Sequence, residues 1–412
     1  MKIDLPAFEL PFFAALLLLL VLARFFGELF ERMRQPAMIG EIIAGIILGP
    51  SVLNYIHRTE ELKVISDLGV FLLVIIAGLE INFEDILRSI RGRNIFVSLL
   101  AFFIPIGSGF FVGTAFHQPV MTTVFIGLCV AITALPVSIR ILMDLGRLNS
   151  SIGQKIISAA IFDDVLALTI LGVLLDFKHI DSSYSEVTKM TIWTILKLLL
   201  FVAVIVGTYK LIQHFAKREN FLETQLDKLI SVLKGKESLF ALLFVFILIF
   251  ATLTESIGLH FIIGSFFASM LLSKNLIGEK NLHTFQKTTN SMAMGFLAPI
   301  FFAGIGLEFK LGSIQNIVLL LAILAVSFLS KIIGGYIGGR ISLMSHRQSL
   351  TLAYGLNARG IMELVIANIA FREGFINVEV FSMLVIMGLV TTLSTPFLLK
   401  SSFKRLDRKE AS

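Results

Sequence analysis

Long apolar runs recur along nearly the whole chain, and the short connections between them carry most of the charge. A helix that crosses the hydrocarbon of a bilayer needs roughly 17 to 25 residues, fewer where it is broken or packed inside a bundle. That window predicts thirteen membrane spans, at 8–27, 37–54, 64–80, 94–116, 120–143, 152–176, 190–213, 237–256, 259–274, 293–308, 314–340, 349–372 and 378–399. The first run, Phe12 to Phe26, is read as a span and not as a cleaved leader. Lys2 and Asp4 give it a weakly charged start, and no clean small-x-small cleavage site follows.

Composition agrees with the pattern. Hydrophobic residues make up 56% of the 412 positions and charged residues 16%, whereas a soluble globular chain is about a quarter charged. The net charge of +6 does not point to nucleic acid, because the basic residues are scattered over short connections. They read instead as topology signals. Arg24/Arg32/Arg34, Arg88/Arg91/Arg93, Arg140/Arg147/Lys155, the cluster from Lys210 to Lys236, Lys274/Lys280/Lys287, Arg340/Arg347 and the tail from Lys400 to Lys409 fall on one side. Lys2, Arg58, Lys63, Lys178, Lys189, Lys310 and Arg372 fall on the other. The asymmetry predicts a multi-pass protein of the cell membrane with its N-terminus outside and its C-terminus cytoplasmic. The single cysteine, Cys129, cannot form an intramolecular disulfide. The seven histidines sit mostly in loops at spacings that fit no metal site, and no cofactor is expected.

The chain also resembles itself. Residues 69–80, GVFLLVIIAGLE, match 297–308, LAPIFFAGIGLE; residues 39–51, IGEIIAGIILGPS, match 263–273, IGSFFASMLLS, at nearly the same offset. This predicts a first six-helix repeat over 1–189, a linker helix and cytoplasmic loop over 190–236, and a second six-helix repeat with a short basic tail over 237–412. An odd number of spans separates equivalent points, so the repeats have inverted topology, as in secondary transporters. The repeat offset carries Thr133 onto Asn357. Each stands beside helix disruptors, Thr133-Ala-Leu-Pro136 in one case and Gly355-Leu-Asn357-Ala-Arg-Gly360 in the other. In lipid, freed backbone groups are tolerated only against protein or a water-filled cavity. Two crossing broken helices around an ion site are therefore expected.

Ionisable residues deep in a span are costly, about 2.5–3.5 kcal/mol each on insertion scales. Asp163 and Asp164 lie near the middle of 152–176. Neighbours on a helix point about 100° apart, so one carboxylate can face a cavity while the other meets a neighbouring helix. Desolvation favours the neutral form, so that H⁺ and a monovalent cation (Na⁺ or K⁺) compete for the same oxygens. Lys331, well inside 314–340, is the natural partner for one aspartate; snorkelling to an interface is the competing reading. Arg359 and Glu363 stand four apart and are read as a structural ion pair holding the broken helix. Glu41 and Glu255 are read as packing or rim residues, and Gly45, Gly49 and Pro50 as a close helix contact.

At these residues the chain resembles the monovalent cation–proton antiporter superfamily, in the branch with bacterial sodium/proton antiporters, potassium-efflux antiporters and plant cation/proton exchangers. The matching stretches are Gly40-Glu-Ile-Ile-Ala-Gly-Ile-Ile-Leu-Gly-Pro-Ser51, Ala77-Gly-Leu-Glu80, Ile132-Thr-Ala-Leu-Pro-Val-Ser138, Phe162-Asp-Asp-Val165 and Asn357-Ala-Arg-Gly-Ile-Met-Glu-Leu364. The resemblance implies an all-α, thirteen-helix membrane fold that works as a homodimer among membrane lipids by an elevator-like motion. The core transport domain would be about 64–176 plus 293–399, and the remainder a dimerisation domain. It further implies Asp164 as main cation and proton carrier, Asp163 facing Lys331, and Thr133 and Asn357 flanking the crossing. Members with two adjacent aspartates are usually electrogenic. Potassium-efflux members often carry Gln where Asp163 stands and continue into a nucleotide-binding domain; this sequence stops at Ser412 soon after its last span, so gating through such a domain is either absent or rests on a segment removed from it.

The function that follows is exchange of Na⁺ or K⁺ for protons; the competing transporter reading is sodium-coupled symport of an organic solute. Symport needs a sizeable pocket, and the midplane polar groups suit a bare ion better. An aspartic protease needs two carboxylates from separate segments sharing a proton, which adjacent Asp163 and Asp164 do not provide. No enzymatic activity is expected.

Overall fold

The computed structural model describes residues 10–33, 35–57, 59–81, 92–176, 196–197, 200–201, 203–211, 236–257, 259–272 and 277–410. These residues form helices throughout: α1 (Phe12–Arg32), α2 (Ala37–Leu48), α3 (Glu60–Glu80), α4 (Asn94–Ala115), α5 (Val120–Ala131), α6 (Leu135–Asp144), α7 (Ser151–Asp176), α8 (Lys236–Ser256), α9 (Phe261–Leu271), α10 (Glu279–Met292), α11 (Ala298–Glu308), α12 (Ile317–Ile341), α13 (His346–Gly355), α14 (Ile361–Arg372) and α15 (Val378–Glu410).

Among the described residues nine helical stretches are long and apolar enough to cross a membrane, and the chain is a multi-pass membrane protein. Several expected spans take another form. The span at 37–54 contains a helix of only 12 residues, since Gly49-Pro50 ends α2 in a turn. The span at 259–274 holds the 11-residue α9. The span at 349–372 is interrupted, giving α13 and α14. Residues 279–292, expected as part of a polar connection, are helical and pass through a π-helical turn, Ala293–Leu297, into α11. Pro299 in the first turn of α11 lacks the N–H that a regular α-helix would direct at Gly295, which accounts for the widened turn. Of the linker span at 190–213, residues 196–197, 200–201 and 203–211 are described and are helical, and the rest lies outside the described residues.

Packing divides the chain into two compact units, Met1–Asp67 with Asp85–Ala167 and Leu297–Ser412, and Leu68–Glu84 with Leu168–Phe296. In the first unit α2 lies directly against α11. A Cβ on Gly45 would run into the carbonyl of Ala303, and one on Gly306 into the carbonyl of Ile42, so both helices need glycine at the contact. Around it Leu19, Ala23, Leu48, Ile300 and Leu307 form one apolar cluster. A second cluster gathers Ile141, Leu142, Ile156, Leu352, Leu356 and Leu399 from α6, α7, α13 and α15. In the second unit the Gln286 amide of α10 donates to the Leu79 carbonyl at 3.0 Å, satisfying one of the free carbonyls at the end of α3.

Candidate functional site

Two interrupted helices of the first unit meet at their breaks. Pro136 stands in the first turn of α6, where its missing N–H costs nothing, and Ile132 and Ala134 are extended. On the other helix α13 ends at Gly355 and α14 starts after Gly360. The breaks are joined through the main chain: the Ala134 N–H donates to the Ala358 carbonyl at 2.8 Å. A side-chain bond runs beside it, from the Thr133 hydroxyl to the Leu356 carbonyl at 3.0 Å. Glycine is required at 360, since a Cβ there would stand 2.7 Å from that of Ala134. Asn357 lies in the second break and donates from Nδ2 to the Ala353 carbonyl at 3.2 Å.

A helix leaves its last four carbonyls without intrahelical donors. At the end of α5 that deficit is met by Arg359, whose Nη1 donates to the carbonyls of Cys129 at 2.8 Å and Ile132 at 2.5 Å. Its Nη2 donates to the carbonyl of Val130 and, at 3.3 Å, to that of Ser327 in α12. A cation at a helix C-terminus also meets the negative end of the helix dipole. The expected Arg359–Glu363 ion pair is therefore not made. Spacing of four implies proximity only inside a helix, and Arg359 precedes α14, whose N-cap Gly360 is extended. Neither carboxylate oxygen of Glu363 has a hydrogen-bond partner. Thr392 of α15 donates to the Arg359 carbonyl at 2.9 Å, fixing the same segment from another side.

Asp163 and Asp164 stand near the middle of α7, at 0% and 1% exposure. Lys331 of α12 is fully buried, and its ammonium donates to Asp163 Oδ2 and to Thr133 Oγ1, each at 2.7 Å. The lysine thus links α7, α12 and the first break. Two carboxylates, an ammonium and a guanidinium are gathered where helix termini already present partial charges, the chemistry that holds a small ion without a dedicated metal cage. Among the described residues no group of three or more His, Cys, Asp or Glu side chains is placed to hold a metal ion. Glu41 is buried, 3.8 Å from Arg24, and Glu255 is exposed. Sequence reasoning missed the cage of carbonyls around Arg359; its only signal was the arginine's position between a break and a glycine.

This combination of a membrane-spanning helical bundle, paired helix breaks and buried carboxylates is that of an ion-transporting membrane protein. Residues 15–403 match the family described as sodium/hydrogen exchanger, transmembrane, and the chain belongs to that family. It is 28% identical over 401 residues to the Na(+)/H(+)-K(+) antiporter GerN of Bacillus cereus, covering 97% of this chain and 98% of that protein. It is 30% identical over 410 residues to the Na(+)/H(+) antiporter NhaS4 of Synechocystis, with 93% and 94% covered. Its fold is like that of the sodium proton antiporter MjNhaP1 from Methanocaldococcus jannaschii, with a TM-score of 0.68 at 17% identity over 94% of this chain and 95% of that one. These relatives are transporters, not enzymes.

Proposed function

We propose that this protein exchanges a monovalent cation, Na⁺ or K⁺, for protons across the membrane by alternating access. Asp164 is the main carrier, Asp163 shares the ion, and Lys331, Thr133, Asn357, Arg359 and Glu363 support the site. The observation that carries this reading is the burial of both aspartates at the meeting of two interrupted helices. Carboxylates so far from water are favoured only when neutralised, by a proton, a cation or a fixed positive partner. A cation arriving therefore displaces a proton, and a proton arriving displaces the cation. Because both groups are closed to water in this conformation, turnover requires conformations that open the site to each side in turn. The names of the relatives, which include Na⁺/H⁺ and Na⁺/H⁺-K⁺ antiporters, support the choice of ions.

The proposal extends to architecture: thirteen spans in two inverted six-helix repeats, N-terminus outside, C-terminus cytoplasmic, and a homodimer. Residues 64–176 and 293–399 form the moving part of an elevator, and the remainder the dimerising part.

Proton flux into proteoliposomes, read by an interior pH dye while Na⁺, K⁺ and Li⁺ are added in turn, tests the reading beside Asp164→Asn. Cation-triggered proton movement that disappears in the variant is the expected result. Movement that survives Asp164→Asn overturns the carrier assignment, and no movement with any cation overturns antiport.

A further inference from the structure

Away from the aspartates, at the end of the first unit where α12 finishes at Ile341 and α13 begins at His346, the bundle holds a basic recess. It is a cavity of about 560 Å³ whose polar lining is His346, Arg347, Tyr354, Ser401, Ser402 and Arg405. Leu350 and Leu398 supply an apolar wall. Among the described residues no acidic side chain lines it.

The recess is held in shape from behind. The hydroxyls of Thr351 and Ser402, both buried, bond at 2.7 Å and pin α13 to α15. Arg347 Nη1 donates to the Arg405 carbonyl at 3.2 Å, which holds its guanidinium at the mouth. Tyr336 Oη and His346 Nδ1 share a hydrogen bond of 2.8 Å, and a capping box of Ser345 and Gln348 fixes the first turn of α13.

Depth identifies the occupant. At about 1.5 Å per residue, the 33 residues of α15 are much longer than the roughly 30 Å hydrocarbon of a bilayer. Its apolar part gives way after Leu399 to Lys400, Lys404 and Arg405, which places these basic turns at headgroup level. Guanidinium groups match phosphate oxygens in a two-pronged geometry, and a membrane surface rich in anionic lipid attracts such clusters. A soluble anion would have no use for the leucine wall, whereas a lipid has chains to lay against it.

We infer that this recess binds the phosphate of an anionic phospholipid, gripped by Arg347 and Arg405, with the start of its acyl chains against Leu350 and Leu398. The site is separate from the cation site and does not depend on which ion is carried.

The test titrates the full chain, purified in neutral detergent, with phosphatidylglycerol, with phosphatidylcholine of the same chains, and with glycerol 3-phosphate, reading bound lipid by native mass spectrometry. Saturable binding of phosphatidylglycerol over phosphatidylcholine is expected. With two basic groups removed, the Arg347→Gln/Arg405→Gln double variant should bind roughly thirtyfold more weakly. The bond from Arg347 to Arg405 makes that variant a risk to folding, so Ser401→Glu, an exposed change that brings a like charge to the phosphate, serves as an independent arm with the same expected loss. Equal binding of the two lipids, or wild-type affinity in Ser401→Glu, overturns the inference. Full displacement of the lipid by glycerol 3-phosphate at matching concentration makes the occupant a soluble phosphate and overturns the lipid assignment.

Discussion

The ammonium of Lys331 lies 2.7 Å from the carboxylate of Asp163, and neither side chain is exposed. Each ion alone would pay a desolvation penalty of several kcal/mol; together, with Thr133 as a third partner of the ammonium, they are tolerated. The pair distinguishes the two aspartates of α7: Asp163 has the ammonium as its neighbour, while Asp164, next in the chain, points to a different side of the helix.

Removing one ion of this pair leaves the other uncompensated. Lys331→Ala is expected to destabilise the protein by about 3–5 kcal/mol, and adding Asp163→Asn to recover a large part of that loss. Thermal unfolding of the two single variants and the double variant in detergent gives the coupling directly. Strictly additive losses would show that the pair contributes nothing as a pair.

Arg359 reaches four carbonyls through two nitrogens. Lysine has the charge without the fork, so Arg359→Lys should lower stability by on the order of 2 kcal/mol while keeping the charge at the end of α5. A melting temperature equal to that of the unaltered protein refutes the capping role.

On the proposed mechanism, competition between cation and proton has a definite sign. Bound cation requires the ionised carboxylate, so acidification through its titration raises the apparent KM for the cation by about tenfold per pH unit for a single competing proton. Transport measured in proteoliposomes at several symmetric pH values reads this directly. A KM that stays flat while the maximal rate changes points instead to protons acting away from the ion site.

The contact of α2 with α11 admits no side chain at its centre. Gly306→Ala is expected to prevent recovery of folded protein, because the added methyl meets the Ile42 carbonyl. Gly107→Ala in α4, where nothing lies within 4 Å of the added Cβ, should be neutral or stabilising by up to about 1 kcal/mol. Size-exclusion profiles of the two variants side by side separate a packing effect from a general intolerance of alanine.

The sequence carries the helix breaks in local chemistry: Pro136 lacks a donor, and Gly355 and Gly360 bracket a stretch too weak to remain helical. Deep charges were equally legible, since Asp163, Asp164 and Lys331 stand in apolar surroundings that no connecting loop would have. Hydropathy alone did not reveal the lengths of α2 and α9, because a window counts apolar residues whether or not a turn such as Gly49-Pro50 interrupts the helix. Nor did it reveal the fate of Arg359. Periodicity assigns neighbours only along a continuous helix, and the carbonyls that this arginine caps belong to α5, far away in the chain and brought near only by the fold.

One bond at the crossing, from the Ala134 amide to the Ala358 carbonyl, involves no side chain and needs only the space that Gly360 leaves for the two breaks to approach. The junction is therefore written in the main chain, out of reach of most substitutions. Side chains act beside it: the Thr133 hydroxyl donates to the Leu356 carbonyl and accepts from the Lys331 ammonium, and the Asn357 amide donates to the Ala353 carbonyl. A replacement at 133 or 357 can therefore disturb the polar contacts at the crossing while the main-chain bond that frames it stays in place.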